Sequence, residues 1–123
     1  MSAPPAPTDR RGVDPSPIAL LEATRRGGKT WEEVAPRYGV TNPDPPWKTS
    51  LYATCECLAG AGALDALERR RAEDRLAEGV YAGVPAPERQ LLSLVHTMVS
   101  RGLLSEDELA RHMRVVRARL EAP

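Results

Sequence analysis

The run with the most chemistry in it is Glu68-Arg69-Arg70-Arg71, three consecutive guanidinium groups behind a carboxylate. A guanidinium is planar, permanently charged and presents a fork of N–H donors, so a cluster of them suits a planar oxyanion. On a helix advancing about 100° per residue, Leu64, Leu67 and Arg71 share one side and Arg70 lies about 60° from Leu67. Arg70 and Arg71 are therefore expected to flank the apolar line, with Arg69 facing solvent. The plainer alternative is a solvated face, with Asp65, Glu68, Glu73, Asp74 and Glu78 balancing the arginines through i,i+4 pairs worth a few tenths of a kcal/mol each.

Other reactive side chains are sparse. Cys55 and Cys57 are the only cysteines. Two residues apart on a helix they point about 200° apart, which suits neither a mutual disulfide nor one metal. Two small buried or half-buried thiols in a reducing compartment are expected. His96 and His112 are distant from each other in sequence, and each is expected to be a satisfied, half-buried histidine rather than a ligand or base. No GxxxxGK[ST], GxGxxG, HExxH, CxxC or GxSxG pattern occurs. Nothing assembles a nucleophile, a base and an orienting group, so a self-contained enzyme is not expected.

These groups must be carried by a small helical scaffold. The chain has 123 residues, and its apolar content is dominated by leucine and alanine, with no phenylalanine. That favours an all-α fold, a small helical domain of about four core helices behind an extended or partly disordered N-terminal arm. Seventeen basic residues balance seventeen acidic ones, so no global field recruits nucleic acid or an anionic membrane. No apolar run reaches transmembrane length and no signal-peptide pattern opens the sequence, so a cytoplasmic location is expected.

Along the chain, residues 1–17 are rich in proline, small residues and charge and are expected to form a disordered tail. Residues 18–46 read as an arm with short helices, Ile18–Arg26 and Thr30–Tyr38. Thr30 and Glu33 form a capping box there, and Pro36 interrupts or ends the second helix. The stretch Thr30–Val40 resembles the first half of a helix-turn-helix. Pro43, Pro45 and Pro46 forbid the recognition helix that should follow, which argues against DNA binding. Residues 47–123 hold the core helices. Trp47–Ala61 has Asp44 or Thr49 as a cap and an apolar stripe of Leu51, Cys55 and Leu58. Asp65–Glu78 and Arg89–Arg101 follow, then a last helix opened by the Ser105–Glu108 capping box. That last helix carries an a/d-like seam of Leu109, Met113, Val116 and Leu120. Arg111, Arg114 and Arg117 line one flank, as a solvated or partner-facing edge.

From Trp47 onward the chain resembles the N-terminal half of the nitrile hydratase β subunit. It is most similar to the separate β subunit of thiocyanate hydrolase and to the three-subunit, toyocamycin-type nitrile hydratase. The residues carrying the resemblance are Ala53-Thr54-Cys55-Glu56-Cys57-Leu58-Ala59, then Glu68–Arg71. Val80-Tyr81-x-Gly83-x-Pro85, Arg89 and the stretch Gly102–Leu109 complete it.

The resemblance implies one subunit of a hetero-oligomeric enzyme, not catalytic alone. The chain would clamp an α-type partner that binds cobalt or iron through oxidised cysteines, with no metal site of its own. By position, Arg70 matches the family arginine that hydrogen-bonds those oxygens, with Arg69 beside it. Tyr81 and Gln90 would lie at the substrate pocket, where a nitrile or thiocyanate is hydrated. Two departures stand out. The family's Pro-Tyr-Tyr-x-Arg-aromatic run reads Pro85-Ala86-Pro87-Glu88-Arg89-Gln90 here. It has lost its aromatics, which implies either a wider pocket or a surface that no longer lines one. The usual SH3-like barrel half is not part of the resemblance and would come from a second small subunit. Activator proteins that deliver cobalt to the α subunit share the same half, which gives a metallochaperone as the alternative.

Overall fold

The computed structural model describes residues 13–41 and 44–123. Among them the chain is all-α. Its helices are α1 (Ala19–Gly27), the single turn α2 (Trp31–Val34), α3 (Lys48–Gly60), α4 (Ala66–Ala77), α5 (Ala86–Ser100) and α6 (Glu106–Glu121). A 3-10 turn, Ala35–Tyr38, follows α2 and carries Pro36. The α-turn stops where proline would cost a backbone hydrogen bond.

Local signals set most boundaries. Thr30 accepts from the backbone N–H of Glu33, Asp65 from that of Glu68 and Ser105 from that of Glu108. Each satisfies a donor that a helix start leaves unpaired. Helices α3 and α5 end in the same way. The N–H groups of Gly62 and Ala63 return to the carbonyls of Ala59 and Leu58, and those of Gly102 and Leu103 to Val99 and Met98. Both glycines hold the positive φ that this left-handed closure requires. Neither Asp44 nor Thr49 caps α3. Its N-cap is Trp47, without a side-chain cap bond, and Asp44 instead pairs with Lys48 at 3.0 Å. Helix α5 starts earlier than Arg89 because Pro87 fits its first turn.

The core has two lobes on α5. One gathers Val13, Leu21, Ala72, Leu76, Tyr81 and Val84; the other gathers Leu51, Cys55, Leu64 and Leu94, with Trp47, Leu58 and Met98 packed against it. Leu64 and Leu76 are almost wholly buried, each stabilising the fold by about 1.5–3 kcal/mol. Ala72 has no exposed surface, and its small side chain lets α4 lie close on α5.

The expected tail and arm need correction. Residues 1–12 lie outside the described residues. Val13 belongs to the core, and the Asp14 N–H donates to Ser100 Oγ at 3.1 Å. Helix α1, read as part of an arm, places Leu21 in the same lobe as α4. The Leu20 N–H donates to Glu106 Oε1 at 2.9 Å, and that of Trp31 to Glu88 Oε1 at 2.6 Å. Among the described residues no helix is long and apolar enough to cross a membrane.

Candidate functional site

Helix α4 carries the arginine cluster, and its orientation differs from the sequence expectation. The inward positions are Ala72 and Leu76; Leu67 is 56% exposed, and Arg70 and Arg71 lie with it on the outer face. Arg69, expected to face solvent, is half-buried on the flank toward α3. The cause is local. Asp65 caps the helix, so Leu64 precedes it and does not share its phase. Ala72, too small to stand out in an apolar count, is what meets α5.

Electrostatics divide the cluster further. Burial raises the Cys55 thiol, opposed by the nearby positive charge of Arg69 and reinforced by Glu73. Cys55 is therefore a neutral core thiol, while Cys57, expected to be at least half-buried, is exposed because it points about 200° away on α3. Two of the acids that might have neutralised the arginines, Glu68 and Glu73, are engaged across the helix pair. Glu68 Oε2 meets Arg101 Nη2 at 2.6 Å, and Glu73 Oε2 meets Arg89 Nε at 3.5 Å. Arg89 also donates through Nη1 to the Val84 carbonyl at 3.3 Å. No carboxylate among the described residues lies within ion-pair distance of Arg69, Arg70 or Arg71. The chain thus holds α4 on α5 with two foreign arginines and turns Arg70 and Arg71 outward. Such a pair of donor forks has no oxyanion among the described residues and is open to one from elsewhere.

The Pro85–Gln90 run forms the α5 N-cap and first turn. With α2 and the 3-10 turn it encloses an open cleft of about 720 Å³, walled by Trp31, Pro36, Val40, Pro85, Pro87 and Glu88. A smaller cleft of about 340 Å³ shares Trp31 and Glu88 and adds Trp47, Leu92 and the rim cations Arg25 and Lys29. Gln90 lines neither. Its Oε1 is buried without a hydrogen-bond partner among the described residues.

Tyr81, expected at a pocket mouth, is a core residue with no exposed surface. Its ring stands edge-on to that of His96. The His96 ring is 1% exposed, against the expectation of half-burial. His96 Nε2 lies 2.7 Å from the Asp14 carbonyl, which can only accept, so Nε2 bears the proton. Nδ1 then accepts from the Tyr81 hydroxyl at 2.7 Å. Burial lowers the His96 pKa and raises that of Tyr81, so both stay neutral. This network was not legible in the sequence. Asp14 sits in a proline-rich stretch and contributes a backbone carbonyl, which carries no side-chain signature. His112 is exposed. Among the described residues no three His, Cys, Asp or Glu side chains gather into a possible metal site.

Comparison with known proteins turns these features into a family. The thiocyanate hydrolase subunit beta of Thiobacillus thioparus is 36% identical over 74 residues, covering 59% of this chain and 46% of that protein. The match therefore spans less than half of the relative's length. No solved structure matches. Residues 26–123, which include α2 to α6, match the family described as nitrile hydratase beta subunit, N-terminal. The chain belongs to the nitrile hydratase β-subunit N-terminal family.

Proposed function

We propose that this chain is the helical, non-metal-binding subunit of a nitrile hydratase- or thiocyanate hydrolase-type hetero-oligomer. It seats on an α-type subunit that carries cobalt or iron. A second small subunit supplies an SH3-like barrel. The observation that carries the proposal is the outward pair Arg70–Arg71, with no carboxylate of the described chain to satisfy it, on the surface of a family member.

The outward guanidinium pair suits the oxygen-rich surroundings of a metal held by the partner. The partner's metal would supply Lewis-acid polarisation for hydrating a nitrile or thiocyanate. Arg70 would donate charge-assisted hydrogen bonds to sulfinate or sulfenate oxygens of the partner's oxidised cysteines, about 1.5–3 kcal/mol each. Holding those oxygens orients the partner's thiolate ligands and shields them from further oxidation. Arg69, half-buried beside α3, would brace the cluster. The Glu68–Arg101 and Glu73–Arg89 pairs fix α4 against α5, so that Arg70 is presented at a set position. Tyr81 belongs to the core and takes no part in the pocket.

The test is a tagged purification of the chain from its host, with co-eluting chains identified by mass and bound metal measured. A stable complex with a cobalt- or iron-bearing chain at fixed stoichiometry is expected. Within that complex, Arg70→Lys should lower turnover or metal retention far more than Arg69→Lys; equal, negligible effects refute the role of Arg70. Recovery of the chain free of metal, binding only the apo partner, would assign it instead as an activator that delivers cobalt.

A further inference from the structure

The last helix is anchored over its first turns, as far as the half-buried Met113, and exposed from Arg114 onward. Ser105 caps it, Glu106 accepts from the Leu20 N–H and Leu109 packs on the first core lobe. Beyond Met113 its seam leaves the domain. Val116 is 48% exposed and Leu120 80% exposed, with Val115 at 49%, and no residue of α6 is buried. On this helix, about 24 Å long, Met113, Val116 and Leu120 continue the seam of Leu109 as one apolar stripe, while Val115 points to a different side. Monomeric surfaces scatter single apolar residues, whereas a stripe at heptad spacing marks a docking face.

Charge selects the occupant. From Arg111 to Leu120 the helix carries four arginines and no carboxylate. An antiparallel second copy of α6 would set Leu109 against Leu120 and Met113 against Val116. It would also bring His112 toward Arg119, and Arg117 toward Ala110, leaving every flank without an opposite charge. Self-pairing is therefore disfavoured. An anionic membrane fits no better. The first turn carries Glu106, Asp107 and Glu108, and the apolar face has neither Trp nor Phe to seat at an interface.

We infer that the Met113–Leu120 face of α6 docks into an apolar groove rimmed by Asp or Glu on a partner protein. This rests on the subunit reading above, under which the groove belongs to the metal-bearing chain. It adds a contact separate from the arginines of α4.

The experiment uses the full chain in its host, with a photo-crosslinking residue at position 120 and the cross-linked peptide identified by mass. Two variants are purified in parallel, Val116→Ser/Leu120→Ser and Arg114→Gln/Arg117→Gln, with unchanged helicity as the control for folding. Cross-linking to a partner segment with acids flanking apolar residues is expected. The apolar variant should weaken association about tenfold or more. The arginine variant should weaken it at low salt and flatten its salt dependence. A cross-link to a second copy of this chain, sedimentation of the chain with phosphatidylserine vesicles, or undiminished association of both variants overturns the inference. A metal-bearing chain that co-purifies equally with the Val116→Ser/Leu120→Ser variant keeps the subunit reading and removes this face from it. An acid-rimmed partner without metal, lost on the same substitution, does the reverse.

Discussion

Replacing Tyr81 by Phe tests the buried Asp14–His96–Tyr81 line with one atom. The ring stays, so no cavity beyond the hydroxyl is made, but His96 Nδ1 becomes a buried acceptor without a donor. Stranding such a group costs about 1–3 kcal/mol. Taking ~2 kcal/mol, and an unfolding entropy of about 2.1 cal/mol/K per residue, a chain of 123 residues should melt roughly 8 °C lower. The pH dependence makes the test sharper. In the native chain burial holds the His96 pKa below its ordinary value of 6.5, with Nδ1 occupied by the tyrosine proton. Below that value the unfolded chain binds a proton that the folded chain refuses. The stabilising contribution of neutral His96 is thus complete above pH 6.5 and lost as pH falls toward the lowered folded value, at up to ~1.4 kcal/mol per pH unit. Without the hydroxyl, Nδ1 takes a proton more readily and this slope flattens. Urea unfolding followed by circular dichroism should therefore show a larger loss for Tyr81→Phe at pH 7.5 than at pH 5.5. A loss under ~0.5 kcal/mol, or a larger loss at the acid pH, refutes the assigned tautomer and the directions of both hydrogen bonds.

Three further outcomes follow from the helix scaffold. Ser105→Ala removes the acceptor for the Glu108 N–H and should lower stability by ~1 kcal/mol, read from the same urea curves. Ala72→Leu must fit three more carbons between α4 and α5 where no surface is exposed. It should cost about 1–3 kcal/mol, and the displaced α4 should lose the Glu68–Arg101 pair, visible as loss of the added effect of Arg101→Gln in a double-mutant cycle. Under a thiol-specific reagent Cys57 should react first and Cys55 only on unfolding, because burial keeps Cys55 protonated and covered; equal rates would contradict the placement of α3.

What could be read from the sequence was what neighbouring residues decide. The boxes at Thr30, Asp65 and Ser105 lie within four residues of the donors they satisfy, and Gly62 and Gly102 stop helices by their own backbone freedom. The all-α class followed from composition. The phase of α4 did not, because Leu67 advertised a face that the fold leaves outside, while Ala72, silent in any apolar count, packs against α5. The arginine cluster was found as a set, but the member held against the body is Arg69 rather than Arg70. Tyr81 is put at the pocket by the resemblance alone, and no neighbouring residue signals that it is buried. Only the distant His96 and Asp14 make it core.

The contacts that seat the first described residues join points far apart in the chain. Asp14 to Ser100, Asp14 to His96 and Leu20 to Glu106 span 86, 82 and 86 residues. During synthesis at about 5–20 residues per second, the segment around Asp14 leaves the ribosome several seconds before its seat on α5 exists. Val13, Ile18 and Leu21 spend that interval as apolar surface without a lid. Closing so long a loop is also slow relative to the local helices. The N-terminal segment is thus the last piece to settle, and in the nascent chain it is the stretch that a chaperone or an already folded partner meets first.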